Sequence, residues 1–293
     1  MSKSSVIGTR SGSQIMSQRK LIYLKFKRNR LAVVGSILLS SFVICAIFAD
    51  YLAPYDPLQA DLADNLAPPS SAHILGTDEL GRDVLSRIIH GARISLRLGV
   101  ISVGTALVFG VIIGASAGYY GGTLDQVTMR AVDIVLSFPT MLMAIMIVAI
   151  LGPGLTNAML AVGISLIPEY TRLTRSTFLY LRELDFVQAA KMVGASDARI
   201  IFRHILPNSV SPLIVQSTLN IATAILSAAA LGFLGLGAQP PLPEWGAMLS
   251  RGRIYLMVAF HVTLYPGLAI VISVLSLNMI GDGLRDALDP RMT

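Results

Sequence analysis

Five long runs of the sequence contain no charged residue, and they constrain the fold more than any other feature. They cover residues 31–49, 98–124, 134–168, 204–243 and 254–281. A helix needs about 20 apolar residues to cross the hydrocarbon core of a membrane, so each run can hold at least one crossing. The third run is too long for one helix and contains Gly152-Pro153-Gly154, a strong turn signal. The sequence therefore predicts an all-α integral membrane protein with six transmembrane helices, at about 31–51, 95–118, 132–151, 156–178, 209–232 and 262–281.

The composition excludes an ordinary soluble protein and gives no sign of nucleic-acid binding. Hydrophobic residues make up 54% and charged residues 14% of the chain, whereas soluble domains carry about 25% charged residues. The net charge is +6, but most basic residues flank apolar runs, so membrane topology accounts for them. The single cysteine, Cys45, lies inside the first run and indicates only packing there. That run exceeds the apolar core of a signal peptide, about 7–15 residues, so we expect it to remain as an anchor.

The distribution of basic residues predicts the orientation of the chain. If the N-terminal arm, residues 1–30, lies in the cytoplasm, most of the 23 lysine and arginine residues lie on that side. Such a bias is typical of cytoplasmic loops, so we expect both termini to be cytoplasmic. The predicted organisation is a cytoplasmic arm over 1–30 and a transmembrane domain over 31–293, with an outer segment at about 52–92 and an inner charged segment at about 185–208.

The inner charged segment contains the stretch FVQAAKMVGASDARIIFRHILPN, residues 186–208. Asp185 is suited to cap a short helix, and Gly194 is suited to end it in a left-handed conformation. Ser196 is suited to cap a second helix, which Pro207 ends. Composition alone leaves two interpretations open, an ordinary basic cytoplasmic loop and a docking surface. The basic residues of this helix-turn-helix are Lys191, Arg199, Arg203 and His204.

The pattern of this stretch resembles the EAA motif, a loop of the membrane subunits of ABC importers. The motif consists of Glu-Ala-Ala, three residues, Gly, nine residues and Ile-x-Leu-Pro. Gln188 stands at the position of its Glu, which removes a charge, and His204 replaces its Ile. The matching positions are Ala189, Ala190, Gly194, Leu206 and Pro207. Further segments resemble the C-type permease subunit of the dipeptide and oligopeptide branch of ABC importers: GTDELGRDVLSR, GYYGG, AALGFLGLGAQPPLPEWGAML and NMIGDGLRDALDP.

The resemblance implies a fold, a location and partners. The fold is that of a type I ABC importer permease in the bacterial inner membrane, with the outer segment in the periplasm and residues 185–208 as a cytoplasmic coupling helix-turn-helix. The implied partners are a homologous second permease, two cytoplasmic ATPases, an external substrate-binding protein and membrane lipid. ATP and Mg²⁺ belong to the ATPases, and no cofactor is expected in this chain. The residues implied to contact an ATPase are Gln188, Ala189, Ala190, Lys191, Gly194, Ala195, Arg199, His204, Leu206 and Pro207.

Two outer segments carry ordered turn and cap signals. In the first, Thr77 or Asp78 is suited to cap a short amphipathic helix that lies on the outer membrane surface and leads into the second crossing. In the second, the proline-rich loop 239–245 favours an extended path, and Trp245 suits the membrane interface. We expect both segments to dock the binding protein. The candidate contacts are Asp78, Arg82, Pro241, Glu244 and Trp245.

No motif in the sequence indicates catalysis, nucleotide binding or a metal site. The Walker pattern GxxxxGK[ST] does not occur. The four histidines are too scattered to form a local metal-ligand pair, and no nucleophile motif is recognisable. We therefore expect a pore-forming subunit rather than an enzyme. Branch relatives import dipeptides, oligopeptides, glutathione or nickel, so the resemblance does not name the solute.

Three residues in the predicted crossings are candidates for the translocation path. Glu169 follows Pro168 in the fourth crossing, and an intramembrane carboxylate usually faces a cavity or a partner. Its spacing to Arg172 also fits an ion pair at the membrane interface, which is the interpretation that we favour. Met141 and Met143 in the third crossing would form an adaptable lining, although packing explains them more simply.

Two other classes of protein compete with an importer permease. A self-contained ion-coupled transporter predicts internal repeats, broken helices and midplane carboxylates. No repeat is recognisable, and Glu169 is the only carboxylate deep in a predicted crossing. A membrane enzyme needs a catalytic constellation, and none is recognisable. An importer permease explains the six crossings, the basic helix-turn-helix and the missing nucleotide site together.

Overall fold

The apolar runs of the sequence form long helices that are separated on one side by an extended outer segment. The computed structural model describes the backbone of residues 18–288 and the side chains of residues 22–288. Much of the predicted arm 1–30 and the last five residues lie outside this range. The helices are α1 (Gln18–Arg28), α2 (Arg30–Ile47), α3 (Ala49–Leu52), α4 (Val84–Tyr120), α5 (Gly122–Leu136), α6 (Thr140–Leu151), α7 (Leu155–Arg182), α8 (Asp185–Met192), α9 (Asp197–Arg199), α10 (Leu206–Phe233), α11 (Trp245–Gly252) and α12 (His261–Leu288).

Four of the described helical stretches are long and apolar enough to cross a membrane. They are α2, α4, α12 and the continuous stretch Asp197–Phe233, which contains α9 and α10. The pair α5 and α6 makes a fifth candidate, but its two helices are bent by 89°. The bend falls at Pro139, which has no N–H to continue a helical hydrogen-bond ladder. α7 has the length to cross but carries four charged side chains and is not among these apolar stretches.

α4 is one uninterrupted helix of 37 residues, which corresponds to a length of about 55 Å. The predicted short amphipathic helix on the outer surface is therefore only the first part of α4. The predicted cap at Thr77 or Asp78 is wrong, because Asp83 occupies that position and its carboxylate accepts a hydrogen bond from the Ser86 amide at 2.7 Å. Asp78 instead lies in the preceding turn, where it binds arginine side chains.

The most extensive helix pair joins α4 to α7. Glycines at every fourth position of α4 let the two backbones approach closely, as in other small-residue membrane interfaces. A Cβ atom added at Gly118 would lie 2.7 Å from the carbonyl oxygen of Arg175. Gly110 and Gly114 face Tyr170 and Thr171 just as closely. This seam brings the inner ends of α4 and α7 side by side.

The inner module, defined here as residues 185–207, begins directly after α7. It consists of α8, α9 and a π-helical turn, Ile200–Ile205, that continues into α10. Pro207 does not end this helix as predicted; it lies in the first turn of α10. The π-helical turn is wider than an α-turn, so it accommodates the proline ring and the missing N–H. Asp185 is the first residue of α8 rather than its cap.

Candidate functional site

The inner module is attached to the bundle through its apolar face. Fully burying an aliphatic side chain contributes about 1.5–3 kcal/mol, so several such contacts fix the module firmly. The module therefore forms a rigid extension of α4 and α7. These contacts form one apolar cluster. It contains Val187, Ala190, Ile200 and Ile205 of the module, Phe178 and Leu181 of α7, and Ala115 and Tyr119 of α4.

Polar contacts join the module to the inner end of α4. The hydroxyl group of Tyr119 donates a hydrogen bond to the Asp197 carboxylate at 2.7 Å. Arg182 donates to the carbonyl oxygen of Tyr119 at 3.0 Å. Lys191 Nζ lies 5.9 Å from the centre of the Tyr119 ring, within the range of a cation–π contact. Sequence reasoning missed Tyr119 and Asp197 as contact residues, although Tyr119 lies in the GYYGG segment that carried part of the resemblance.

Gly194 ends α8 in the predicted left-handed conformation, with φ at +78°. Its amide donates to the carbonyl oxygen of Lys191 at 2.9 Å, and the Ala195 amide donates to that of Ala190 at 3.0 Å. These two bonds define a Schellman motif, which satisfies the last carbonyl groups of the helix. A Cβ atom added at Gly194 would meet nothing within 4 Å. The surface around Gly194 is therefore open to a partner.

The residues predicted to contact an ATPase have different environments. Ala190 is buried against the bundle and faces away from solvent. Gln188, Ala195, His204 and Leu206 are partly buried. The Gln188 amide donates to the Arg182 carbonyl oxygen at 3.0 Å, a role that a glutamate in this position could not perform. The exposed members of the set are Ala189, Lys191, Gly194, Arg199 and Pro207.

Two large apolar side chains at the tip of the module were missed by the sequence analysis. Met192 is 88% exposed and Val193 is 84% exposed, next to Gly194. Solvent-exposed apolar side chains at the tip of a charged segment are typical of an interaction surface. Both residues fall in the three unspecified positions of the motif between Ala190 and Gly194. Their place directly before the predicted left-handed glycine was the signal that could have identified them.

The predicted docking residues of the outer face are mostly buried within the chain. Asp78, Arg82, Glu244 and Trp245 are at most 3% exposed, whereas Pro241 is exposed. A docked protein could not contact the four buried side chains in this conformation, so the prediction that they form the docking surface is wrong. Their polar groups were mistaken for surface groups because the sequence does not reveal their internal partners.

The four buried residues instead hold the outer segment to the ends of α4 and α11. Asp78 accepts a hydrogen bond from Arg82 Nε at 2.8 Å and lies 3.3 Å from Arg87 Nε. Glu244 caps α11 by accepting hydrogen bonds from the amides of the two residues after Trp245, both at 2.8 Å. Burial raises the pKa of the Glu244 carboxyl group above its ordinary value, and these amide bonds oppose the shift. Trp245 is fully buried, not interfacial, and its indole N–H donates to the Ile88 carbonyl oxygen at 3.1 Å.

Glu169 lies in the middle of α7 and is not paired with Arg172. Gln216 and Asn220 of α10 donate side-chain amide hydrogen bonds to its two carboxylate oxygens, at 2.5 and 3.3 Å. Arg172 pairs with Asp133 of α5 instead. The favoured interpretation of an interfacial Glu169–Arg172 pair is therefore wrong. About 20 Å of helix separates Glu169 from either end of α7.

Met141 and Met143, the other two candidates for the translocation path, have apolar or partly buried surroundings. Met141 of α6 packs against the largest apolar cluster, which includes Leu166 and Tyr170 of α7. Met143 is partly buried. Packing therefore explains Met141, as the sequence analysis favoured. Within residues 22–288, no group of three or more His, Cys, Asp and Glu side chains is arranged to hold a metal ion.

Two models of known protein families match this chain, one in its N-terminal part and one over the rest. A model described as "Binding-protein-dependent transport system inner membrane component" matches residues 110–293, which is more than half of the sequence. A second model, described as "N-terminal TM domain of oligopeptide transport permease C", matches residues 17–69.

Curated relatives cover almost the whole chain. The dipeptide transport system permease protein DppC of Alkalihalophilus pseudofirmus is 52% identical, over 92% of this chain and 89% of that protein. The di/tripeptide transport system permease protein DppC of Pseudomonas aeruginosa is 48% identical, over 94% and 93%. The glutathione transport system permease protein GsiD of Pectobacterium atrosepticum is 47% identical, over 92% and 89%. All three relatives are permease proteins. The present chain, as their homologue, is a pore-forming subunit rather than an enzyme.

A solved structure supports the same fold. A chain of the inward-facing MetNI methionine ABC transporter superposes with a TM-score of 0.56 at 20% sequence identity, covering 69% of this chain and 97% of that one. At this identity the likeness shows the fold of an ABC importer permease. A self-contained ion-coupled transporter is not supported by these findings. The chain is a multi-pass membrane protein that belongs to the family of binding-protein-dependent transport system inner membrane components, in its oligopeptide permease C branch.

Proposed function

We propose that the chain is one of two homologous permease subunits of an ABC importer that takes up short peptides from an external binding protein. The named substrates of the relatives are dipeptides, di/tripeptides and glutathione, which are all small molecules with a peptide backbone. The family description names binding-protein dependence. ATP and Mg²⁺ then bind to two separate cytoplasmic ATPase subunits, and this chain needs no cofactor of its own.

The proposed topology has six crossings in the inner membrane. We add α7 to the five apolar candidates, because its 28 residues exceed the length of about 20 residues that a crossing requires. Its faces against α4 and α10 bury Tyr170, Thr171 and Thr174, and its exposed Arg172 pairs with Asp133 of α5. An even number of crossings leaves the arm 1–30 and the C-terminus on the same side, which basic residues favour as the cytoplasm. The domain 31–293 then places the segment 52–92 in the periplasm and the inner module in the cytoplasm.

The inner module is the proposed contact with an ATPase. The observation that carries this proposal is the combination of a buried base and an exposed apolar tip, Met192 and Val193, in one short segment. A rigid base transmits displacement as a unit, and the two-state movements of packed helices depend on such units. Lys191 and Arg199 are exposed beside the tip, where they can orient the contact through acidic residues of a partner.

The proposed docking surface for the binding protein is limited to the exposed part of the outer face. Pro241 and its neighbour Gln239 are exposed. Beneath them, Glu244 and Trp245 are buried and hold the loop in place. The loop is thus presented on a fixed base, which reduces the cost of ordering it when a partner binds.

Reconstitution tests the proposed function. The chain is purified with its second permease, both ATPases and the binding protein, and uptake of a labelled dipeptide into proteoliposomes is measured. We expect uptake that needs ATP, the binding protein and the ATPases. Uptake by this chain alone, or uptake that follows an ion gradient without ATP, would refute the proposal.

A cross-link tests the proposed contact directly. Cys45 is replaced by serine, and a cysteine is introduced at Val193 in the assembled complex. We expect a disulfide or short cross-link to an ATPase. Cross-links only to lipid or to the second permease would count against the inner module as the ATPase contact.

A further inference from the structure

The carboxyl group of Glu169 has no cationic partner among the residues that the structure describes. It lies at the middle of α7, and among residues 22–288 no lysine, arginine or histidine forms an ion pair with it. The two nearest arginines along the helix are engaged elsewhere: Arg172 with Asp133, and Arg175 with Asp125 through two hydrogen bonds. A carboxylate inside a membrane protein is costly unless it meets a cation, an exchangeable proton or water. Among residues 22–288 this carboxylate therefore has no cation, and one can reach it from a partner or a cargo.

The carboxylate of Glu169 is oriented rather than neutralised. The side-chain amide of Gln216 donates to one oxygen and that of Asn220 to the other. Gln216 also donates to the Asn220 carbonyl oxygen at 3.2 Å, which fixes both amides with their nitrogens toward the carboxylate. Each carboxylate oxygen can accept about two hydrogen bonds, so an acceptor position remains on both. Such a group is arranged to receive an additional N–H donor.

A cavity lies next to Gln216, one of the two amides that bind this carboxylate. Its volume is about 660 Å³, within the range of small-ligand pockets, and it lies between α7, α10 and the C-terminal end of α12. Leu173 and Thr177 line it four and eight residues after Glu169, on the same face of α7. Gln216 lines it from α10 and contacts Glu169 directly. Glu169 therefore lies behind Gln216, one helical turn from the lining residue Leu173, and Arg285 of α12 lines the same cavity.

We infer that Glu169 is the counter-ion for the primary ammonium group of the transported peptide, with Gln216 and Asn220 holding its carboxylate in position. This inference rests on the proposed function, because a short-peptide cargo brings a free ammonium group to the path. A peptide brings an ammonium group whatever its side chains are, so one fixed carboxylate serves a permissive path. Arg285 also lines the cavity, where its guanidinium group can attract the carboxylate of a zwitterionic cargo.

Photolabelling of the assembled complex tests the inference without the selectivity of the binding protein. The permease pair with its ATPases, free of nucleotide, is exposed to alanyl-benzoylphenylalanine or to its N-acetyl derivative. We expect the free amine to label this chain about tenfold more than the acetylated probe, a factor equivalent to one carboxylate contact of about 1.4 kcal/mol. In Glu169→Gln, both probes should label at the level of the acetylated one. Glu183→Gln, an exposed carboxylate outside the cavity, is the control and should behave as the wild type.

The outcomes separate this inference from the proposed function. If Glu169→Gln keeps the preference for the free amine, or loses labelling by both probes equally, the inference is overturned while peptide import by the wild type still stands. If the wild-type complex with its binding protein imports no peptide, the proposed function fails and the inference falls with it. Should Glu169→Gln not assemble, Gln216→Ala replaces it, and an unchanged amine preference in that variant overturns the inference.

Discussion

Tyr119, at the inner end of α4, donates a hydrogen bond to Asp197 in the inner module, and the two oxygen atoms are 2.7 Å apart. The same helix continues without a break to Val84 on the outer face, a length of about 55 Å. One continuous helix thus joins the proposed ATPase contact to the proposed periplasmic segment. A displacement of the inner module need not pass through flexible loops to reach the outer face.

Loss of this hydrogen bond should weaken the link between ATP hydrolysis and transport. Tyr119→Phe removes the donor but keeps the ring, at a cost of about 1 kcal/mol for one hydrogen bond. We expect a few-fold fall in peptides imported per ATP hydrolysed, with normal assembly. Tyr120→Phe is the control, because the neighbouring Tyr120 is 59% exposed. Equal effects of the two substitutions would show that the Tyr119–Asp197 contact has no special role.

A charge at the tip of the inner module should prevent binding of the ATPase. Met192→Asp places a carboxylate where an apolar side chain is 88% exposed, and its burial in an interface would leave the charge unpaired. We expect the permease pair to form but to lose at least one ATPase during purification. Met257→Asp, at a residue that is 95% exposed on the outer loop, is the control. Retention of both ATPases by Met192→Asp in size-exclusion chromatography would contradict the proposed contact.

The sequence predicted the helices of this protein better than it predicted their polar contacts. Uncharged runs and glycine–proline breaks located the long helices, because the membrane forces apolar residues into helices of a set length. The left-handed Gly194 was also predictable, since a glycine after a short helix has a local conformational reason. The polar helix α7 was placed correctly from the turn at residues 152–154, although its charges remove it from the apolar candidates.

Partners that are distant in sequence were the part that could not be predicted. Asp78, Arg82, Glu244 and Trp245 carry polar groups that suit a surface, and only tertiary structure shows that they are satisfied inside. Glu169 likewise had a suitable cation one helical turn away. Its actual partners are amides on α10, and Arg172 is taken by α5. Local spacing therefore suggested the wrong ion pair.

Removal of one buried charge on the outer face should destabilise the permease. Asp78→Asn leaves Arg82 and Arg87, both nearly fully buried, without their shared carboxylate. Breaking a buried ion pair in this way costs about 3–5 kcal/mol, so we expect a clear fall in the Tm of the purified complex in detergent. Asp56→Asn, at an exposed aspartate of the same outer segment, should change the Tm little. An unchanged Tm for Asp78→Asn would mean that the outer segment contributes little to stability.

The measurement that tests the central claim most directly is the coupling ratio, peptides imported per ATP hydrolysed, in a fully assembled Gly194→Trp complex. Position 194 has a φ of +78°, and among residues 22–288 no atom lies within 4 Å of an added Cβ. The indole would therefore meet only a partner, while the backbone strain of about 1 kcal/mol is matched in the control Gly194→Ala. We predict that Gly194→Trp assembles and hydrolyses ATP with uptake reduced at least about tenfold, equivalent to 1.4 kcal/mol, and that Gly194→Ala keeps most of its uptake. Normal uptake by the assembled Gly194→Trp complex would contradict the assignment of the inner module as the element that transmits ATP hydrolysis to the path.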